Sequence, residues 1–184
     1  MATKIITPEF RASYVKVFQA EEDLSGRMKY SIQMLFPKKG TDFAKIKEAI
    51  GEAVKTKFGA KSPKGLRMPL RDGDTEKEDN PDYAGMYFMN ASSNQRPGVV
   101  DENLQDVVDP NDFYSGCWCI AQVAFYGYDA AGNKGVGVGL HNLKKTRNDD
   151  RLDGRQDAAD AFGGKSTEAT AEAEEESSDF NIFG

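Results

Sequence analysis

Histidine, cysteine and tryptophan are scarce in this chain: one His, two Cys and one Trp in 184 residues. A single histidine, His141, supplies no His pair for a metal and no obvious catalytic triad. Cys117 and Cys119 stand two positions apart. In a strand their side chains share a face about 6–7 Å apart, which disfavours a bridge. Their spacing is wrong for zinc and a fourth ligand is missing, so no metal or other cofactor is expected. The thiols read as small core hydrophobes of a reducing, cytosolic protein. No apolar run approaches the roughly 18 residues that span a bilayer. The opening MATKIITPEF carries no apolar h-region, so neither a membrane partner nor a secretory signal is expected.

What the chain has is an uneven charge. The net charge is −6. Residues 1–147 carry 21 basic and 19 acidic side chains, a net of +2, whereas residues 148–184 carry 3 basic and 11 acidic, a net of −8. A near-neutral body with an acidic tail is a pattern of nucleic-acid-binding systems.

The body patterns as strands around one helix. Residues 10–18, FRASYVKVF, are aromatic and β-branched. Residues 28–36 alternate, with Met28, Tyr30, Ile32, Met34 and Phe36 on one face and Lys29, Ser31 and Gln33 on the other. The turn-like EEDLSG between them predicts a hairpin. Thr41 is a candidate N-cap for an amphipathic helix over 42–58, with Phe43, Ile46, Ile50 and Phe58 on its apolar face and Gly59 as its stop. Residues 61–85 read as a long loop. MYFMNAS (86–92) is a further strand, and 94–112 reads as loop. The strongest strand is 117–129. Its inner set is Cys117, Cys119, Ala121, Val123 and Phe125; its outer set includes Trp118, Ile120, Gln122, Tyr126 and Tyr128. A last strand over 136–143 turns Val136, Val138 and Leu140 inward. Its glycines, Gly135, Gly137 and Gly139, leave one face flush with a neighbouring backbone or ligand, in the wrong context for a dinucleotide fingerprint. Five strands without βαβ alternation predict a mainly β (α+β) fold, an OB-like five-stranded antiparallel barrel with one helix and long loops. It occupies residues 1–150.

Residues 151–184 form the expected acidic tail. From Gly163 to Ser178 there is no aromatic and no large aliphatic residue, too little apolar surface to offset ordering entropy, so disorder is expected. The chain then ends DFNIFG. Asp179, Phe180, Ile182 and Phe183 on a solvated leash suit a partner's pocket better than a core.

The segments PLRDGD (69–74), YAGMYFMNAS (83–92), RPGVVD (96–101), FYSGCW (113–118), FYGYDAAGNKGVGVGLHNLKK (125–145) and RLDGR (151–155) together resemble, in this order, tailed-phage single-stranded DNA-binding proteins of the OB-fold type. The likeness covers roughly residues 5–160. It implies a non-enzymatic protein in the cytoplasm of an infected bacterium. Such a protein coats and protects single strands during replication, recombination and repair, without sequence preference. The acidic, aromatic-tipped tail is similar to tails that recruit replication and recombination proteins. This one ends in Phe-Gly rather than the Pro-Phe of bacterial relatives. A homo-oligomer is compatible with the resemblance.

Single-strand binding needs aromatic faces for bases and a basic groove for phosphates. The aromatic candidates are Trp118, Tyr126 and Tyr128 on the outer face of the central strand, and Tyr87. Each has a second reading, as a half-buried sheet or core residue. The cationic candidates are Lys38, Lys39, Lys61, Lys64, Arg67, Arg71, Arg96, Lys144, Lys145 and Arg147. Any one lysine can equally be a solvated charge, and Arg71 can instead pair with Asp72 or Asp74 to shape its loop. Two other functions compete. The acidic loop 72–82 offers carboxylates to a metal-dependent nuclease. An aromatic face can also bind protein, as in a virion or interaction protein.

The tail generates its own expectation. About 32 flexible residues have an r.m.s. reach of roughly 30 Å, so −8 of charge stays at high effective concentration beside a basic groove. Removing residues 160–184 is expected to tighten single-strand binding, most at low salt, where screening is weakest. An oligonucleotide titration of full and truncated chains checks this; weaker binding by the truncated chain would place the tail within the binding surface.

Overall fold

The computed structural model describes residues 3–152 and Phe162. The chain divides into two units, Met1–Asp153 and Gly154–Gly184, and the first carries the fold. Asp179, Phe180, Ile182 and Phe183, the expected partner-binding tip, lie outside the described residues.

The five expected strands form, four of them longer than their sequence patterns and β7 shifted by one residue, and three short strands join them. They are β1 (Thr3–Ile6), β2 (Phe10–Glu22), β3 (Met28–Pro37), β4 (Arg71–Asp72), β5 (Met86–Ser93), β6 (Gly98–Val100), β7 (Trp118–Ala130) and β8 (Asn133–Arg147). β2 pairs antiparallel with β3 and β7, β3 pairs antiparallel with β5, and β7 with β8. β5 meets β8 in parallel at Ser92 and Gly139, which closes a ring of five strands, β2-β3-β5-β8-β7. The sheet is therefore not wholly antiparallel. β6 also runs parallel to β8, inside a segment whose Pro and Asn content reads as loop. β1 pairs antiparallel with β7, Ile6 opposite Gln122 and Thr3 opposite Phe125, farther along β7 than the β2 pairing at Trp118 and Cys119; its four residues are too few for a periodic signal.

Phe10, Ile32, Met34, Phe36, Val123 and Phe125 fill the ring, with Cys117 and Cys119 fully buried among them. The helix α1 (Ala44–Phe58) covers the core with Ile46, Ala49, Ala53 and Val54. It starts two residues later than predicted. Asp42 rather than Thr41 serves its first turn, accepting the Ala44 N–H at 2.9 Å. It stops at Gly59, whose φ of +79° suits glycine. Contact with β7 is close enough that a Cβ on Gly127 would come within 2.4 Å of Lys57 Cβ.

Two expectations for β3 are corrected. Met28 is 59% exposed, because it pairs with Glu22 at the far end of the hairpin, away from the ring's core. Gln33 and Leu35, on the outward face, are buried. A second small core covers them, made of Leu35, Tyr83 and Phe88 with Met86 and Leu152 packed against it. The predicted 61–85 loop supplies it. Within that segment a helical turn, α2 (Gly73–Glu76), and a 3-10 turn at Pro81–Tyr83 fold a flap over the sheet. Lys38 Nζ clasps the flap, donating to Asp72 and Asp74 at 2.7 Å each. Asp74 also accepts the Gly85 N–H at 2.9 Å.

Residues 147–152 form a strap over the start of β7. Arg11 donates from Nε to Gly116 O at 3.0 Å and from Nη2 to Asp150 O at 2.7 Å. The Leu152 N–H reaches Ser115 O at 2.9 Å. Gly116 has φ +123°, and a Cβ there would meet Asp150 O at 2.1 Å. Gly116→Ala is therefore expected to cost about 1–3 kcal/mol, the usual range for strained backbone, read as a lowered urea midpoint. An unchanged midpoint would show that the strap shifts freely.

Candidate nucleic-acid interface

The interface starts from a register fault. Ser13 pairs with Gln33 and Lys16 with Ser31, so β2 spends three steps where β3 spends two. The extra residue is a β-bulge. Tyr14 sits in it at φ +45°, left-handed backbone that a bulky residue rarely adopts. The Val15 N–H is received by Ser115 Oγ at 3.1 Å. The bulge switches the inward parity from Phe10 and Ala12 to Val17, and leaves the Tyr14 ring 60% exposed.

Tyr14 borders a groove of about 480 Å³ across the ring's outer face. Its floor is two cross-strand rows. One runs Gln33–Asn90 and the other Lys16–Ser31–Ser92, the latter meeting β8 at Gly139. Tyr126 forms the opposite wall, 43% exposed. The glycine stripe of β8 makes that wall possible. Tyr126 pairs with Gly137 and Tyr128 with Gly135. A Cβ on Gly137 would lie 2.5 Å from the Tyr126 ring, and one on Gly135 would lie 2.8 Å from the Tyr128 hydroxyl and 2.5 Å from Arg67 O. The glycines thus seat the two tyrosines, and bring Arg67 beside Tyr128. Arg67 and Arg71 line a second recess of about 440 Å³.

Other candidates are placed elsewhere. Trp118 shares β7 with Tyr126, but eight residues of strand, about 26 Å, separate them. Its ring is occupied: the Arg147 guanidinium lies 4.3 Å from its centroid and its Nε1–H donates to Asp149 at 2.8 Å. Tyr87 packs edge-on against Phe43 at 5.2 Å, with Lys38 Nζ 5.0 Å from its centroid.

Several cations have structural work. Lys38 is taken by the flap carboxylates. Arg71 pairs with Glu76, neither of the two aspartates considered for it, and lies over Phe88. Lys145 is corrected from surface to interior: it is 8% exposed, follows Leu143 in inward parity, and donates to Asp112 O and Asn148 Oδ1 at 2.8 and 3.1 Å. Arg147 also pairs with Glu9 at 3.2 Å. Arg96 lies 5.7 Å from the Phe18 ring centroid. Lys39, Lys61 and Lys64 are exposed and Lys144 is half-buried. Among the described residues, no group of three or more His, Cys, Asp or Glu is arranged to hold a metal ion.

The sequence patterns did not single out Tyr14, Lys16 or the floor residue Asn90. The parity switch from Ala12 to Val17 was the available signal for Tyr14.

Residues 3–176 match the family described as Enterobacter phage Enc34, ssDNA-binding protein. A curated relative, "Putative protein p50" of Acyrthosiphon pisum secondary endosymbiont phage 1, is 33% identical over 163 residues, covering 82% of this chain and 87% of the relative. The solved structure of the bacteriophage Enc34 single-stranded DNA-binding protein in complex with ssDNA is similar at a TM-score of 0.71 and 25% identity, over 81% of this chain and 89% of that one. The bacteriophage T7 single-stranded DNA-binding protein gp2.5 shares the fold, with a TM-score of 0.57 at 13% identity, over 84% of this chain and 98% of that one.

The strap carries a pH dependence. The Trp118 Nε1–H, and then the Asp150 N–H, hold the Asp149 carboxyl below its usual pKa. A carboxylate lowered in the fold contributes stability above its unfolded value, near 3.9, and loses it as pH falls through the lowered folded value. Trp118 emission is expected to change in a step below about pH 4, and Asp149→Asn to remove that step. An identical profile in the variant would show that Asp149 does not hold the ring.

Proposed function

This chain belongs to the family of the Enterobacter phage Enc34 ssDNA-binding protein, and from that premise we propose that it binds single-stranded DNA without sequence preference, in the groove between Tyr14 and Tyr126. The observation that carries the reading is the pairing of two exposed tyrosines across a floor of amides and hydroxyls, on the outer face of an OB-like ring. Every base has a π-face, so two rings on facing walls accept any sequence. Side-chain amides and hydroxyls both donate and accept, and so tolerate any base edge. Lys16 at the floor and Arg67 beside Tyr128 supply cations for phosphates.

The protein coats and protects single strands during phage DNA replication, recombination and repair in the cytoplasm of the infected host. Its acidic tail recruits replication and recombination proteins through Phe180, Ile182 and Phe183, and it catalyses nothing. The alternative of a metal-dependent nuclease is disfavoured by how the acidic loop is used: Asp72 and Asp74 are bound to Lys38 and Glu76 to Arg71. The salt bridges make those carboxylates clasps of the flap.

Fluorescence anisotropy of labelled oligo-dT with the full chain, over a salt series, tests the reading. Affinity should fall steeply with salt and be far weaker for duplex. Tyr14→Ala and Tyr126→Ala should each cost about 1–3 kcal/mol of binding, the range for one stacked base. Trp118→Ala should cost less, because Arg147 covers its ring. Binding indifferent to both tyrosines but lost with Trp118 would move the site to the strap end of β7. Absence of any oligonucleotide binding would favour a protein-binding role.

A further inference from the structure

The groove floor contains a side chain that is buried, held at one end and open at the other. Gln33 is 8% exposed and lines the groove. Its Oε1 accepts from the Tyr83 hydroxyl. Its Nε2 makes no hydrogen bond among the described residues, although a buried amide donor is costly to leave unmade. Tyr83 is itself fixed: it is buried, with Phe88 edge-on at 5.4 Å and 82°. Burial, and next the neighbouring Tyr14, push its phenol above the usual pKa, so it stays protonated and remains a donor. The hydroxyl's hydrogen bond to Gln33 Oε1 commits the amide oxygen to the flap and leaves the amide nitrogen for the groove that Gln33 lines.

We propose that Gln33 is a base-reading residue: its Nε2–H donates to an exocyclic carbonyl oxygen of a base seated between Tyr14 and Tyr126, with Tyr83 as the positioning residue that fixes the amide's orientation. The inference rests on the groove being the single-strand site. Thymine, cytosine and guanine carry such a carbonyl and adenine does not, so the contact favours the first three over adenine at one subsite. It adds a mild preference to an otherwise sequence-tolerant surface. It also explains why a glutamine, rather than an apolar residue, lies beneath the flap: both ends of the amide are used once DNA is bound.

The test compares oligo-dT, oligo-dA and an abasic oligomer of equal length, bound to the full chain. In Gln33→Glu the carboxylate can still accept from Tyr83, but the donor is replaced by an acceptor. Affinity for oligo-dT should fall relative to the abasic oligomer by roughly three- to tenfold, the scale of one hydrogen bond. Repulsion of phosphates would weaken both oligomers alike and leave that ratio unchanged. Tyr83→Phe frees the amide to turn over, so the dT-to-dA ratio should narrow toward that of Gln33→Glu while the abasic oligomer is unaffected. Urea midpoints of both variants report whether the flap has opened. A folded Gln33→Glu with the wild-type dT-to-abasic ratio overturns base reading by Gln33. A Tyr83→Phe chain with the wild-type dT-to-dA ratio overturns the positioning role. If the unaltered chain binds none of the three oligomers, the groove assignment itself fails.

Discussion

Between Ser13 and Lys16, β2 holds one residue more than β3 can pair, and much of the outer face depends on it. Without the extra residue, the inward parity set by Phe10 and Ala12 would continue through Tyr14 and bury that ring in the core. With it, Val17 takes the inward place and Tyr14 stands in the groove. The left-handed backbone at Tyr14 costs free energy, and the Val15–Ser115 hydrogen bond offsets part of that cost. Ser115 also accepts the Leu152 N–H at its carbonyl, so one residue ahead of β7 ties the bulge to the strap of residues 147–152.

On the far wall the solution is different. β8 gives up side chains at Gly135 and Gly137 so that β7 can lay Tyr128 and Tyr126 against it. Glycine inside a strand normally weakens it; here an aromatic ring from the neighbouring strand covers the bare backbone. A wall of flat rings and a floor of small polar groups suit a ligand that offers flat faces and varied edges.

Charge is organised for folding before it is organised for binding. Lys38, Arg71, Lys145 and Arg147 each hold a carboxylate, a carbonyl or an aromatic ring of the protein itself. The body's net +2 therefore understates how selectively its cations are placed: among the described residues Lys16 lines the groove, within 3.7 Å of Glu21, and Arg67 lines the second recess. Aromatic contact carries more of the candidate site than a broad basic surface does.

Alternation identified β3, β7 and β8, composition pointed to β2 and β5, the helical spacing located α1 to within two residues, and the inward set of β7 was legible residue by residue. Those features follow from local periodicity, because a side chain's face in a regular element depends only on its neighbours in sequence. The outward exposure of Tyr126 was legible on the same grounds, and so was a close neighbour to the β8 glycines, but not that the neighbour at Gly137 is the Tyr126 ring. What periodicity could not carry was everything set by a distant segment. Tyr14 faces outward because β3 pairs with β2 out of step. Gln33 is buried because Tyr83, fifty residues away, folds over it. Trp118 is covered because residues 147–149 return to it, and Lys145 lies inside because Asp112 and Asn148 satisfy its ammonium there. The sequence by itself determined which residues could form strands and which aromatics were available; only the tertiary structure decided which of those aromatics face the groove, since that choice depends on pairing register and on long-range cover, neither of which has a local signature.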